Sequence, residues 1–199
     1  MKVIGLTGSI GMGKSFVANI FRQKNIDVFD ADAQVHEILE SDINAQNEIK
    51  RLFPEAVGND GNINRGNLGR LVFTDEDKLK ILESILHPIV KKRGDDFYQK
   101  SLESGMDIIV QDIPLLFETG ADKTCHFVIV VKAPSETQDE RVLSRDNITK
   151  EQYEQIKKIQ LQSEEKEKLA DYVIDSNDSK ENIEKIVQNI IEDIKVKSI

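Results

Sequence analysis

The stretch Gly8-Ser9-Ile10-Gly11-Met12-Gly13-Lys14-Ser15 has the residue types and spacing that point most directly to chemistry. It fits G-x-x-x-x-G-K-[ST], a phosphate-binding loop, or P-loop. Gly8 and Gly13 can take backbone angles closed to other residues, which lets the main chain approach a ligand. Successive backbone N–H groups then form an anion cradle, and Lys14 reaches the outer phosphates as a point charge. The Ser15 hydroxyl is of the right type to ligate a Mg2+ ion that already holds phosphate oxygens. The ligand implied is a nucleoside triphosphate. Lys14 is expected to act on phosphates alone, so its loss should leave the fold intact.

A loop of this kind needs a strand before it and a helix after it. Lys2–Thr7 reads as the strand. A helix is expected from about Lys14, with Phe16, Val17, Ile20 and Phe21 on one face and its positive end toward the phosphates. Further short β-branched runs occur at Ile26–Asp30, Asp107–Asp112, Phe127–Lys132 and Tyr172–Asp175. Continuous apolar runs of this length suit parallel strands buried on both faces. With helical crossovers between them, the fold class is α/β: a three-layer sandwich around a five-stranded parallel sheet. Ile183, Ile186, Val187, Ile190, Ile191 and Ile194 keep helical spacing and predict a final helix closing on the sheet.

The spacing of the strands is uneven. Between Asp32 and Asp107 lies far more chain than one crossover needs. Within it, Thr74-Asp75-Glu76-Asp77 predicts a helix start with Thr74 as N-cap. Leu79, Leu82, Ile85 and Leu86 share one face, and Pro88 marks the expected end. This reads as a helical insertion, about 33–104, at the carboxyl edge of strand two, where open α/β sheets bind ligands. Ser135-Glu136-Thr137-Gln138 fits a capping box and opens a short helix carrying Arg141 and Arg145. The polar stretch Asp146-Asn147-Ile148-Thr149-Lys150 follows. The segment 137–154 is either a lid whose arginines close over phosphates or a surface hairpin with solvated charges. The core would then comprise about 1–32, 105–136 and 155–199 of a single P-loop domain.

Composition bounds the function. The chain has 199 residues and a formal net charge of −9. That charge argues against general nucleic-acid binding, which needs a basic face. The single Cys125 excludes an internal disulfide and points to a reducing, cytoplasmic setting. Next to an apolar run, it reads as a small core hydrophobe. No apolar run approaches the roughly 20 residues that span a bilayer, and the short N-terminal apolar run is no signal peptide. Neither a membrane nor an obligate protein partner is expected. A GTPase would need N-K-x-D and D-x-x-G; the chain has no Asn-Lys pair and no Asp followed three places later by Gly. A small-molecule kinase fits better.

The chain resembles the dephospho-coenzyme A kinases over nearly its whole length. The resemblance starts at Gly5 and runs through the P-loop to Ser15. Asp30-Ala31-Asp32 and His36 are similar to that family's D-A-D motif and the basic residue after it. Asn64-Arg65, Val72-Phe73, Leu82-Glu83 and His87-Pro88 match its acceptor-domain pattern. Pro114-Leu115-Leu116-Phe117-Glu118 matches its P-L-L-F-E segment, and Arg141, Arg145-Asp146, Gln160 and Ala170-Asp171 recur at its later spacing. One departure follows strand five, where Ser176 stands in the place of the family's usual Asn and Asn177 comes next.

The resemblance implies transfer of the ATP γ-phosphoryl group, with Mg2+, to the ribose 3′-hydroxyl of dephospho-coenzyme A. It implies ATP contacts at Gly11, Met12, Gly13, Lys14, Ser15, Phe16, Arg141 and Arg145. Acceptor contacts are implied at Asp32, His36, Arg65, His87 and Leu115, Mg2+ at Ser15, and catalysis by Asp32, Lys14 and Arg141. Asp32 is either the base for the hydroxyl proton or a strand-end turn residue or outer magnesium ligand. Asp112, at the end of strand three, is a further candidate for a magnesium-bound water. Arg65 either meets an acceptor phosphate or braces the insertion. Two other functions fit the motif: a different small-molecule or nucleoside monophosphate kinase on this fold, and a nucleotide-binding regulatory protein without turnover.

Overall fold

The computed structural model describes residues 1–145 and 148–198. Asp146 and Asn147, part of the polar stretch noted above, lie outside the described residues. Strands β1 (Lys2–Thr7), β2 (Asp27–Asp30), β3 (Ile108–Asp112), β4 (Phe127–Lys132) and β5 (Tyr172–Asp175) form one parallel sheet in the order β2-β3-β1-β4-β5. All four pairings are parallel; Leu6 faces Asp112 of β3 and Ile129 of β4. The central β1 and its neighbours are buried on both faces, which is why they read as unbroken apolar runs. The connection from β1 runs toward the β2 edge and that from β3 crosses to β4 on the other side, so the loop after β1 sits at a topological switch point, where such sheets bind ligands.

Helices α1 (Lys14–Gln23) and α9 (Lys180–Val196) cover one face. Val17, Ile20 and Phe21 of α1 and Ile183, Val187, Ile191 and Ile194 of α9 join Ile4, Leu6, Ile129 and Ile174 in the main core. Each such side chain contributes about 1.5–3 kcal/mol by leaving water. Phe16 does not join them. It is 37 % exposed, because the apolar stripe of α1 begins one residue later, at Val17. Cys125 is half-buried beside Leu116, and burial pushes its thiol pKa up to about 11, so it packs as a neutral group.

The stretch between β2 and β3 folds into α2 (Ala31–Ser41), α3 (Ile43–Leu52), α4 (Arg65–Phe73) and α5 (Glu76–Glu103) around a second core. Ile38, Ile49, Phe53, Leu68, Val72, Leu82 and Leu86 form that core. Two expectations change here. Asp75, not Thr74, caps α5, accepting from the N–H groups of Asp77 and Lys78; Thr74 instead bonds back to the Arg70 carbonyl. Pro88 does not end the helix, which continues to Glu103. Pro88 and Ser84, four residues before it, are both exposed, so the carbonyl that loses its N–H partner lies on the solvated side. The long helix reaches back to the sheet. Phe97 packs on Phe29 at 5.6 Å between ring centroids, and Ser101 Oγ donates to Asp27 at 3.3 Å.

After β4 come α6 (Ser135–Leu143), α7 (Lys150–Ile159) and α8 (Ser163–Leu169). The expected capping box at Ser135 is absent. Pro134 occupies the N-cap and makes no side-chain cap. The reciprocal box stands one helix later, where Thr149 Oγ1 accepts from the Gln152 N–H and Gln152 Oε1 from the Thr149 N–H. Helix α7 runs to Ile159, beyond the 154 expected as the lid's end.

Candidate active site

The P-loop is built as a ring of backbone held from three sides. Gly11 and Gly13 have φ of 81° and 84°, the left-handed region that an L side chain adopts only with strain. Gly13 is the N-cap of α1, so the helix's unpaired N–H groups open into the loop. The Ile10 N–H donates to Gln160 Oε1 at 3.0 Å, and Gln138 Nε2 donates to the Ile10 carbonyl at 2.7 Å. The Ala133 N–H points at the Met12 sulfur at 3.0 Å. Helix α6, the end of α7 and the loop after β4 therefore fix the cradle. Gln160 is one of the motif positions; Gln138, expected as part of a capping box, instead supports the P-loop.

A cavity of about 610 Å³ opens above this ring. Gly8 to Ser15 form its floor; Asp32, Pro114 and Leu115 line one side, and Arg141 and Arg145 another. Phe73 from α4 and Ile156 and Ile159 from α7 complete it, so the segment between β2 and β3 and the helices after β4 both contribute. Of the expected site residues, Gly11, Met12, Gly13, Lys14, Ser15, Asp32, Leu115, Arg141 and Arg145 meet in this one cavity. Four do not line it. Phe16 points out from the first turn of α1. His36 and His87 are exposed on α2 and α5, and Arg65, half-exposed, lies 3.7 Å from Glu40. The exposed face of α5 at His87 follows from the helix running through Pro88, which keeps its apolar side on the second core.

Lys14 is ion-paired with Asp112, whose side chain is only 1 % exposed. This changes the expectation that the core does not need the lysine's charge. Burial, the leading cause, raises the Asp112 pKa, and Lys14 pulls it back down. Its second oxygen, Oδ2, is buried without a partner. Asp112 ends β3 beside Leu6 of β1, and that register puts a carboxylate under the loop.

Asp30 accepts from the Ala33 N–H at 2.9 Å and so caps α2, leaving Asp32 in the helix's first turn. The Asp32 side chain is open to solvent on the cavity side, yet the protein around it desolvates the carboxyl enough to raise its pKa. Lys14 draws that pKa down, Asp30 pushes it further up, and His36, one helical turn on, draws it down. Arg141 is held by donating to Ser176 Oγ at 2.7 Å and to the Ser176 carbonyl at 3.0 Å. Ser176 thus carries a bond that the sequence marked only as a departure. Asn177 Oδ1 accepts from Thr137 at 3.2 Å.

A P-loop at the switch point of a parallel sheet, a cationic and an acidic side around one cavity, and a helical arm over it define a phosphotransferase of the P-loop kinase class. A family model described as dephospho-CoA kinase matches residues 2–182. The dephospho-CoA kinase of Bartonella quintana is 39% identical over 194 residues, covering 98% of each chain. The chain belongs to the dephospho-CoA kinase family. Among solved structures, TT1252 from Thermus thermophilus is similar with a TM-score of 0.80 and 35% identity, covering 99% of this chain and 98% of that one. A dephospho-CoA kinase from Campylobacter jejuni is similar with a TM-score of 0.69 and 28% identity, covering 98% of each chain.

Proposed function

We propose that this protein transfers the γ-phosphoryl group of ATP to the ribose 3′-hydroxyl of dephospho-coenzyme A, the last step of coenzyme A biosynthesis. The observation that carries the reading is the joining of the P-loop, Asp32, Leu115 and Arg141 around one cavity in a chain of this family. Phosphoryl transfer is mostly positioning and charge stabilisation. The loop amides and Lys14 hold the triphosphate, and Lys14 exchanges its Asp112 partner for phosphate oxygens. Asp32 takes the proton of the acceptor hydroxyl as that oxygen bonds to phosphorus and ADP departs. Arg141, fixed on Ser176, and Arg145 stabilise the charge that develops on the transferred group.

The residues fit Mg2+. An ion of this kind is carried mainly by substrate phosphates and needs few protein ligands. The Ser15 hydroxyl would hold it directly, and the unpartnered Asp112 oxygen would accept from one of its waters. An ion held by these residues would supply neutralisation of the charge that develops on the phosphates. Asp32 and Leu115 are the acceptor contacts that the cavity supports. His36 stands next in line beyond Asp32; Arg65 and His87 receive no contact in this reading. The segments 33–104 and 137–154 act as acceptor arm and lid. Among the described residues no helix is long and apolar enough to cross a membrane. A cytoplasmic setting is part of the proposal, since a chain with one cysteine has no internal disulfide that would call for an oxidising compartment. ADP release measured with dephospho-coenzyme A, with a nucleoside monophosphate and with no acceptor tests the reading. It requires turnover with the first only.

A further inference from the structure

The P-L-L-F-E segment ends in Glu118, which plays no part in the chemistry above yet is tied into it. Lys166, on α8, has a fully buried side chain with 0 % exposure. Its Nζ lies 2.9 Å from Glu118 Oε1 and donates to the Pro114 carbonyl at 3.1 Å. Thr7 Oγ1, at the end of β1, donates to the same carbonyl at 3.1 Å. Glu118 Oε1 also accepts from the Leu161 N–H at 2.7 Å, and Glu118 Oε2 is buried without a partner. Each tied segment is a wall of the active cavity. Pro114 precedes Leu115 on the acceptor side, and Leu161 follows Gln160, whose side chain holds Ile10 of the P-loop.

A buried ion pair is a weak device for stability. Desolvation cancels much of its attraction, and an apolar pair of equal volume often serves as well. Here the charges are committed to backbone: one carbonyl before the acceptor wall and one amide at the return of the lid. Burial pulls the Lys166 pKa down and Glu118 holds it up, while Lys14 pulls it down again, so the pair lies within electrical reach of the catalytic lysine. We propose that Lys166 and Glu118 are positioning residues for the transfer. They form a buried charged strut that locks the Pro114–Leu115 wall to the Gln160–Leu161 lid return and so fixes the acceptor against the P-loop. The inference rests on the phosphotransfer reading above.

The test compares wild type, Glu118→Gln and the apolar pair Lys166→Met/Glu118→Leu. Turnover is counted per ATP-binding site, and hydrogen exchange is read at the Leu161 amide. Wild-type turnover on dephospho-coenzyme A checks the underlying reading separately, and its absence overturns that reading while exchange still reports on the strut. The apolar pair is expected to melt near wild type, exchange Leu161 faster, keep its ATP affinity and lose roughly 10- to 100-fold in kcat, the scale of a small misplacement away from the reacting atoms. Recovery of kcat together with melting temperature would reduce the strut to a packing role and overturn the proposal. If the apolar pair does not fold, Glu118→Gln decides. It removes the charge while keeping an oxygen for Leu161, so kcat lost at unchanged ATP affinity supports the charged strut whether or not the Leu161 amide stays protected, and wild-type kcat contradicts it.

Discussion

Removing the P-loop lysine should cost this protein stability as well as activity, and the stability cost should depend on pH. In Lys14→Met the Asp112 carboxylate, 1 % exposed, loses its cation. Breaking a buried ion pair from one side costs about 3–5 kcal/mol when the remaining charge stays. Asp112 has an escape, because it can take up a proton. Protonating a carboxyl of ordinary pKa near 3.9 costs about 4 kcal/mol at pH 7 and about 1.5 kcal/mol at pH 5, which caps the penalty at each pH. The sign follows from linkage. A carboxyl whose folded pKa lies above its unfolded one binds its proton more tightly in the folded state, so stability falls as pH rises through the folded value. Loss of Lys14 removes the influence that lowers the Asp112 pKa, so this fall should steepen. Urea denaturation at pH 5, 6, 7 and 8 reads the difference. The deficit relative to wild type should grow with pH toward the cap. Lys14→Met/Asp112→Asn should regain much of it while turnover stays near zero. A deficit of zero at pH 7, or one independent of pH, refutes the reasoning and means that Asp112 is neutral or hydrated in solution.

Asp32→Asn should lower kcat roughly 10²–10³-fold while ATP affinity, by direct titration, stays within about twofold, since a positioned base contributes on that scale; unchanged kcat would remove Asp32 as the base. Because its surroundings raise the Asp32 pKa, the acid limb of kcat/KM should lie above the pH of an ordinary aspartate, and a limb at or below it would contradict the assignment. Arg141→Ala should lose more kcat than Arg145→Ala, approaching the roughly 10³-fold lower bound for arginines on transferring phosphoryl groups, because Arg141 is pinned by two bonds to Ser176 and Arg145 is exposed. Equal small effects would return both to surface charges. Gly11→Ala places a Cβ 2.5 Å from Val142 Cγ2 at a φ of +81°. Left-handed strain of about 1–2 kcal/mol and overpacking of about 1–3 kcal/mol should lower the urea midpoint and weaken ATP binding together.

The sheet and the loop were legible because their signals are local. Buried parallel strands must be apolar along their whole length, and a phosphate loop must carry glycines and a lysine at fixed spacing. Pro88 and Ser135 misled because a cap or a helix break is settled by solvent and packing. An exposed proline loses one bond to water's side of the helix, and Pro134 already occupies the turn that Ser135 would cap. The Lys14–Asp112 pair was harder still. It joins the loop to the end of β3 across sheet pairing, and no sequence spacing encodes that proximity. The same holds for Arg141 and Ser176 and for Lys166 and Glu118. Arg65 and His87 came from the resemblance alone, and nothing in their spacing told which face of the insertion they would occupy.

The central claim is that one cavity joins ATP to a ribose hydroxyl. Position-specific analysis of the product tests it most directly: wild-type protein, ATP, Mg2+ and dephospho-coenzyme A are incubated to completion, and the new phosphate is located by phosphorus–proton correlation NMR. The account requires one added phosphate per acceptor, coupled to the ribose 3′ proton, with one ADP formed for each. A phosphate at another position, or ADP formed without a phosphorylated acceptor, would contradict it.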